Sequence, residues 1–263
     1  MLLSRVGILS LALAAMLFSA EVVSAQGTSV RPTKPTAPTA AKKFKALDLP
    51  LEAPAGGLER GEIQYPEPEP EPPGEEEPPE FYGEPIPTEG STIFYVCDES
   101  CSMAWDQRPY VDDEGNTRSG YRMDRAKSEL RKAIRQLPKS FRFNLIGYGC
   151  SIKRFRNGLV EADAGNKGSA LTWINSMNPG GGTMTGPAVA QALAVKENKS
   201  VVLLTDGAPN CGASGFAGHK TVIKSNNTQS AIITVFGIGA YGSLKAFCQQ
   251  IARDNGGNYI DVP

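Results

Sequence analysis

Val201–Thr205 reads VVLLT, five residues without a charged or amide side chain, followed at once by Asp206-Gly207. A strand with one wet face alternates apolar and polar residues, so an unbroken run of this length belongs to a strand buried on both faces. Thr92–Cys97 (TIFYVC) and Ala231–Phe236 have the same character. Helical spacing fills the intervals. From Arg122 to Leu137 the residues Ala126, Leu130, Ala133, Ile134 and Leu137 fall on one side, and Pro138 stops the run. Further helices are predicted over Asn166–Ser176, over Gly186–Val195 with Pro187 in its first turn, over Phe216–Ser225, and over Ser243–Arg253 ahead of Gly256-Gly257. Phe141–Tyr148 and Asn258–Val262 read as strands, and Ile152–Arg156 as a hairpin partner of the former. Buried strands alternating with helices predict a three-layer, doubly wound α/β fold. Its sheet is mostly parallel, with one antiparallel edge strand. Such sheets bind ligands outside the carboxyl ends of their strands.

This pattern begins only at Ser91. Residues 1–25 read as a secretory signal peptide: Arg5 gives a positive start, Val6–Ala20 is an apolar run too short to span a bilayer comfortably, and Val23-Ser24-Ala25 offers a cleavage site; only if left uncleaved would the segment anchor the chain to a membrane. Residues 26–90 hold 14 of the 20 prolines and carry 6 basic against 13 acidic residues. Proline donates no backbone hydrogen bond and the glutamates repel one another, so a disordered, extended Pro/Glu-rich linker is expected. Residues 91–263 form the folded domain, with a balance of +6 against the linker's −7. That balance favours anionic partners. Nucleic acid is not expected, because no aromatic-basic cluster or reader motif is present.

Where the first strand ends stands Asp98-Glu99-Ser100-Cys101-Ser102, a D-x-S-x-S. Alternate residues of an extended loop point the same way, so a carboxylate and two hydroxyls converge. Thr183 follows the glycines Gly180-Gly181-Gly182, and Asp206 follows VVLLT. All three segments belong at one edge of the sheet and offer hard oxygen donors suited to Mg2+, Mn2+ or Ca2+.

These residues resemble the von Willebrand factor A family and its metal-ion-dependent adhesion site, over about residues 91–263. The resemblance implies a Rossmann-like sheet and a metal held by Asp98, Ser100, Ser102, Thr183 and Asp206, some of them through water. It leaves one position for an Asp or Glu of a protein partner. The chain departs from the family in two places. Cys101 stands where many members have glycine, at a spacer position. The sequence also stops at Pro263, after the last strand, so the family's final helix is expected to be missing and one sheet face to be partly uncovered, unless the Lys42–Leu58 segment or a partner fills it.

The insertion Ala104–Tyr121 brings Trp105, Tyr110 and Tyr121 near the metal edge, with Asp112–Asn116 as a hairpin tip; the aromatics either contact a ligand or pack the hairpin onto the domain. Export permits disulfides, and Cys101, Cys150 and Cys211 each follow a strand end. A Cys101–Cys211 pair is favoured, since it ties two metal-bearing loops. Gly237–Gly242 matches G-x-G-x-x-G, but on the penultimate strand, where no second half follows to hold a nicotinamide. Catalysis finds no support: no G-x-S-x-G occurs, and His219, the one histidine, reads as a loop residue.

The expectation is therefore a secreted or extracytoplasmic, non-enzymatic binding module that uses a divalent metal to take an acidic residue of a protein partner. One alternative is a structural or regulatory subunit whose metal only stabilises the loops; another is a dinucleotide-binding domain.

Overall fold

The structure, a computed structural model, describes residues 78–263. The leader expected over residues 1–25, and the linker up to residue 77, lie outside the described residues. Strands β1 (Glu80–Phe81) and β2 (Glu84–Pro85) form an antiparallel hairpin. Strand β3 (Thr92–Asp98) leads through a 3-10 turn (Cys101–Ala104) to a second hairpin, β4 (Arg108–Val111) and β5 (Thr117–Gly120), and to helix α1 (Arg122–Gln136). Next come β6 (Arg142–Tyr148), β7 (Ile152–Arg154), β8 (Val160–Glu161), α2 (Ala164–Ser176) and α3 (Thr185–Leu193). The chain continues through β9 (Ser200–Thr205), α4 (Gly215–Asn226), β10 (Ile232–Ile238), α5 (Gly242–Asp254) and β11 (Tyr259–Val262).

The main sheet runs β11-β10-β9-β3-β6, all parallel, and both β7 and β8 pair antiparallel with β6. The edge is split because Asn144 pulls the intervening chain away: its Nδ2 donates to the carbonyls of Arg156 and Gly158, and its Oδ1 accepts from the Arg156 N–H. Alternate residues of each strand feed two cores. Ile93, Tyr95 and Cys97 of β3 join Val202, Leu204 and Phe236 beneath α1 and α2. Phe94 and Val96 join Val201, Leu203 and Val235 beneath α3, α4 and α5. Helix ends follow local chemistry. Asp163 accepts the Asn166 N–H at 2.7 Å and starts α2 two residues earlier than its apolar spacing suggests, and Asp124 accepts the Tyr121 N–H at 2.8 Å ahead of α1. Among the described residues no helix is long and apolar enough to cross a membrane.

The domain boundary expected at Ser91 moves toward the N-terminus. Phe81 and Ile86 are fully buried in the core beside α1. The Phe81 ring sits 4.9 Å from that of Phe236 and 5.7 Å from that of Tyr95. The hairpin turns at Tyr82 and Gly83, both with positive φ, and Glu129 of α1 accepts the Tyr82 N–H. Part of the sheet face expected to lie uncovered is thus occupied by Phe81, which packs against Phe236 and Tyr95. Two apolar side chains bracketing a two-residue turn outweigh the proline-rich composition around them.

The expected Cys101–Cys211 disulfide is also corrected. Cys211 pairs with Cys150, at a Cα–Cα distance of 5.9 Å, while Cys101 is exposed with its N–H bonded to the Gly181 carbonyl. The bridge ties the loop after β6 to the loop after β9.

Two outcomes are expected. Phe81→Ala removes a buried ring and lowers stability by about 3–5 kcal/mol in urea unfolding; a loss under about 1 kcal/mol would show that the hairpin contributes little. The Cys150–Cys211 bridge closes a sequence separation of 61. In the chain-entropy treatment its removal by the double serine variant costs about 4 kcal/mol. Peptide mapping without reductant recovers Cys150 linked to Cys211; recovery of Cys101 linked to either would refute the pairing.

Candidate metal-binding site and cleft

β3 and β9 are neighbours, and their parallel register sets Cys97 opposite Leu204. The two acidic residues of the candidate site therefore leave the sheet side by side. Asp98 is fully buried. Its Oδ1 accepts the Ser100 N–H at 2.8 Å, and its Oδ2 accepts the Thr205 hydroxyl at 2.8 Å. Burial, and then the nearby Asp206 carboxylate, push its pKa up to about 7 against those hydrogen bonds. Ser102 donates its hydroxyl to Asp206 Oδ1 at 2.8 Å, and Ser100 Oγ lies 3.1 Å from Ser102 Oγ and 3.5 Å from the same carboxylate oxygen.

Thr183 arrives from the glycine loop. A Cβ on Gly207 would stand 2.9 Å from Thr183 Oγ1, 3.3 Å from Ser102 Oγ and 3.5 Å from Ser100 Oγ. Gly207 is therefore a cradle that a side chain would fill, ringed by three hydroxyls with the Asp206 carboxylate beside them. All five residues singled out in the sequence come together: Ser100, Ser102, Thr183 and Asp206 around the cradle, Asp98 behind them. An all-oxygen set of two carboxylates and three hydroxyls fits a hard divalent cation.

The rim is held from outside. Thr183 donates its N–H to Asn210 Oδ1 at 2.9 Å, and its carbonyl accepts the N–H groups of Asn210 and Cys211. His219 is buried on α4, not in a loop, and its Nδ1 accepts the Gly186 N–H at 2.8 Å, fixing the start of α3 directly after Thr183. Burial pushes its pKa down, which suits a neutral ring accepting that bond. Arg122, the first residue of α1, donates Nη1 to Asp206 Oδ2 at 2.8 Å. None of these contacts has a local signal, since they join residues 27 to 84 positions apart.

A cleft of about 580 Å³ opens over the cradle, lined by Ser102, Trp105, Arg122, Thr183, Asp206 and Tyr241 among others. Trp105 is 63% exposed there. Tyr110 instead packs within its hairpin, its ring 2.9 Å from where a Cβ of Gly120 would stand. Tyr121 is 45% exposed just before α1 and does not line the cleft. Tyr241, 82% exposed, was not anticipated, because it sits inside the glycine-rich motif. The hairpin that carries Tyr110 is pinned to α1 by Asp113, which pairs with Arg131 and Arg135.

The Gly237–Gly242 motif has a packing explanation. A Cβ on Gly237 would stand 2.6 Å from Tyr259 Oη, and one on Gly239 3.0 Å from Arg122 Nη2; Gly239 and Gly242 both have positive φ.

Comparison with known proteins agrees with this architecture. A family model described as von Willebrand factor type A domain matches residues 111–261. Inter alpha-trypsin inhibitor, heavy chain 4, of Mus musculus is 27% identical over 193 residues, covering 67% of this chain and 18% of its own length. The chain thus spans about a fifth of that curated relative. Among solved structures, a von Willebrand factor type A protein from Catenulispora acidiphila aligns with a TM-score of 0.55 at 20% identity, covering 66% of this chain and 39% of that one. The pilus adhesin SpaC from Lactobacillus rhamnosus GG aligns with a TM-score of 0.51 at 17% identity, covering 66% and 28% respectively. Domains of this kind are generally non-enzymatic modules for protein interaction. With the family model spanning more than half of its residues, the chain belongs to the von Willebrand factor type A domain family.

Proposed function

We propose that this domain is a non-enzymatic binding module that holds one divalent cation, Mg2+, Mn2+ or Ca2+, and offers it to an acidic residue of a protein partner outside the cytoplasm. The observation that carries the reading is the Gly207 cradle, where Ser100, Ser102, Thr183 and Asp206 converge at the carboxyl edge of the sheet. Asp206, Ser100, Ser102 and Thr183 would hold the ion, with Asp98 orienting Ser100 from behind or reaching the ion through water. A bound cation supplies a Lewis-acidic position for a carboxylate oxygen. Export follows from the leader read over residues 1–25, and the adhesin likeness is consistent with a surface role.

The rival reading, a metal that only stabilises the loops, meets a specific objection. The Cys150–Cys211 bridge, the Thr183–Asn210 bonds and the Arg122–Asp206 ion pair already fix the rim. A cation is not needed there as a staple, which leaves it free to serve a ligand. A dinucleotide reading has little to rest on, because Gly237 and Gly239 are accounted for by Tyr259 and Arg122.

Thermal melts of the full chain in EDTA and in graded MgCl2 or MnCl2 test the site. Metal at 100 times its dissociation constant adds about 2.7 kcal/mol. The Ser100→Ala/Thr183→Ala variant melts near the native protein in EDTA and loses the metal-dependent gain. An unchanged native melting temperature across the whole titration would eliminate the metal site. Partner capture that survives EDTA while the melting temperature falls would favour the stabilising role instead.

A further inference from the structure

Arg122 hydrogen-bonds through Nη1, makes a longer ion-pair contact through Nε, which is buried without a hydrogen-bond partner, and is free at Nη2. Nη1 donates to Asp206 Oδ2, and Nε lies 3.7 Å from Asp106 Oδ2. Nη2 lies under Gly239, 3.0 Å from where a Cβ would stand, and no acceptor among the described residues hydrogen-bonds it. The side chain is 16% exposed and forms part of the cleft wall between the cradle and Tyr241. A guanidinium offers five N–H donors in a fixed fork, so pairing with Asp206 leaves others available for a second carboxylate.

The charges around the cradle point the same way. Asp106 is shared by Arg108, Arg122 and Arg125. With Asp98 and Asp206 both ionised, as a bound divalent cation favours, three cations face three carboxylates. A divalent ion leaves an excess of two positive charges. One ligand carboxylate neutralises half of it and two neutralise all of it. Trp105 and Tyr241 border the same cleft and would shield a second ion pair from water, which strengthens it.

We propose that the cleft takes a segment of a partner protein bearing two carboxylates, one completing the coordination of the metal and the other paired with Arg122 Nη2. The proposal rests on the metal-dependent reading above. It assigns Arg122 a role in choosing the ligand and gives Gly239 a reason to lack a side chain, since a Cβ there would crowd the free nitrogen.

Fluorescence anisotropy on the full chain in saturating magnesium tests it with two labelled, C-terminally amidated peptides, Gly-Glu-Gly-Glu-Gly and Gly-Glu-Gly-Gln-Gly. The native chain binds the two-carboxylate peptide roughly tenfold tighter, a difference of about 1.4 kcal/mol. In Arg122→Lys one ammonium still pairs with Asp206 but provides no fork. The tenfold ratio between the two peptides falls to about one, read at a magnesium concentration that saturates the variant's own melting shift. Equal native affinity for both peptides would overturn the proposal and leave the metal site standing. So would a tenfold ratio that persists in Arg122→Lys. Absence of any magnesium-induced melting shift in the native chain would remove the underlying metal site, and the proposal with it.

Discussion

The parallel pairing of β3 with β9 decides where every other part of the site must be. Both strands are buried on both faces, so their register is held by two cores at once, Tyr95 and Val202 on one side and Val96 and Leu203 on the other. A slip of one residue would exchange those faces. With Cys97 opposite Leu204, Asp98 finishes its strand beside Thr205, whose hydroxyl it accepts, and Asp206 is the next residue out. Two carboxylates that would otherwise avoid each other are thereby placed together in a poorly solvated corner. Asp98 bears the cost as a raised pKa. A bound cation would reverse that cost, because opposite charge favours the ionised form.

The loops above this pair are tied before any ligand enters. Asn210 and the Cys150–Cys211 bridge hold the Thr183 and Asp206 loops, His219 fixes the start of α3, and Arg122 turns one oxygen of Asp206 away from the cradle while the other faces the serine hydroxyls. Oxygen donors held in this way need little rearrangement to meet an ion, which is the condition for tight and selective binding. The groups free to adapt are the exposed ones, Trp105 and Tyr241 at the mouth of the cleft.

How much of this was legible depended on whether the cause was local. VVLLT needs no partner to read as a buried strand, and D-x-S-x-S, Thr183 and Asp206 could be placed at one edge because each follows a strand or a glycine loop. The end of α1 was legible from Pro138. The N-terminal hairpin was not, because Phe81 and Ile86 sit in a segment whose prolines and glutamates argue against any core. The Phe81-Tyr82-Gly83 turn was the one local signal there. Cys150 rather than Cys101 pairs with Cys211 because of how the loops approach in space, and spacing along the chain carries no trace of that. Arg122 looked like an ordinary first residue of an amphipathic helix; its partner lies 84 positions away. Tyr241 was obscured by the glycine motif around it, whose glycines turn out to make room for Tyr259 and Arg122.

The proposed cation site in the Gly207 cradle can be tested directly. The most direct measurement is an anomalous difference map from crystals of this protein grown with manganese. One peak is expected beside the Ser100 and Ser102 hydroxyls and the Asp206 carboxylate, at metal–oxygen distances of about 2.0–2.6 Å, with Arg122 still on the far oxygen of Asp206. No peak in the cradle at a manganese concentration that fills other oxygen sites in the same crystal would contradict it.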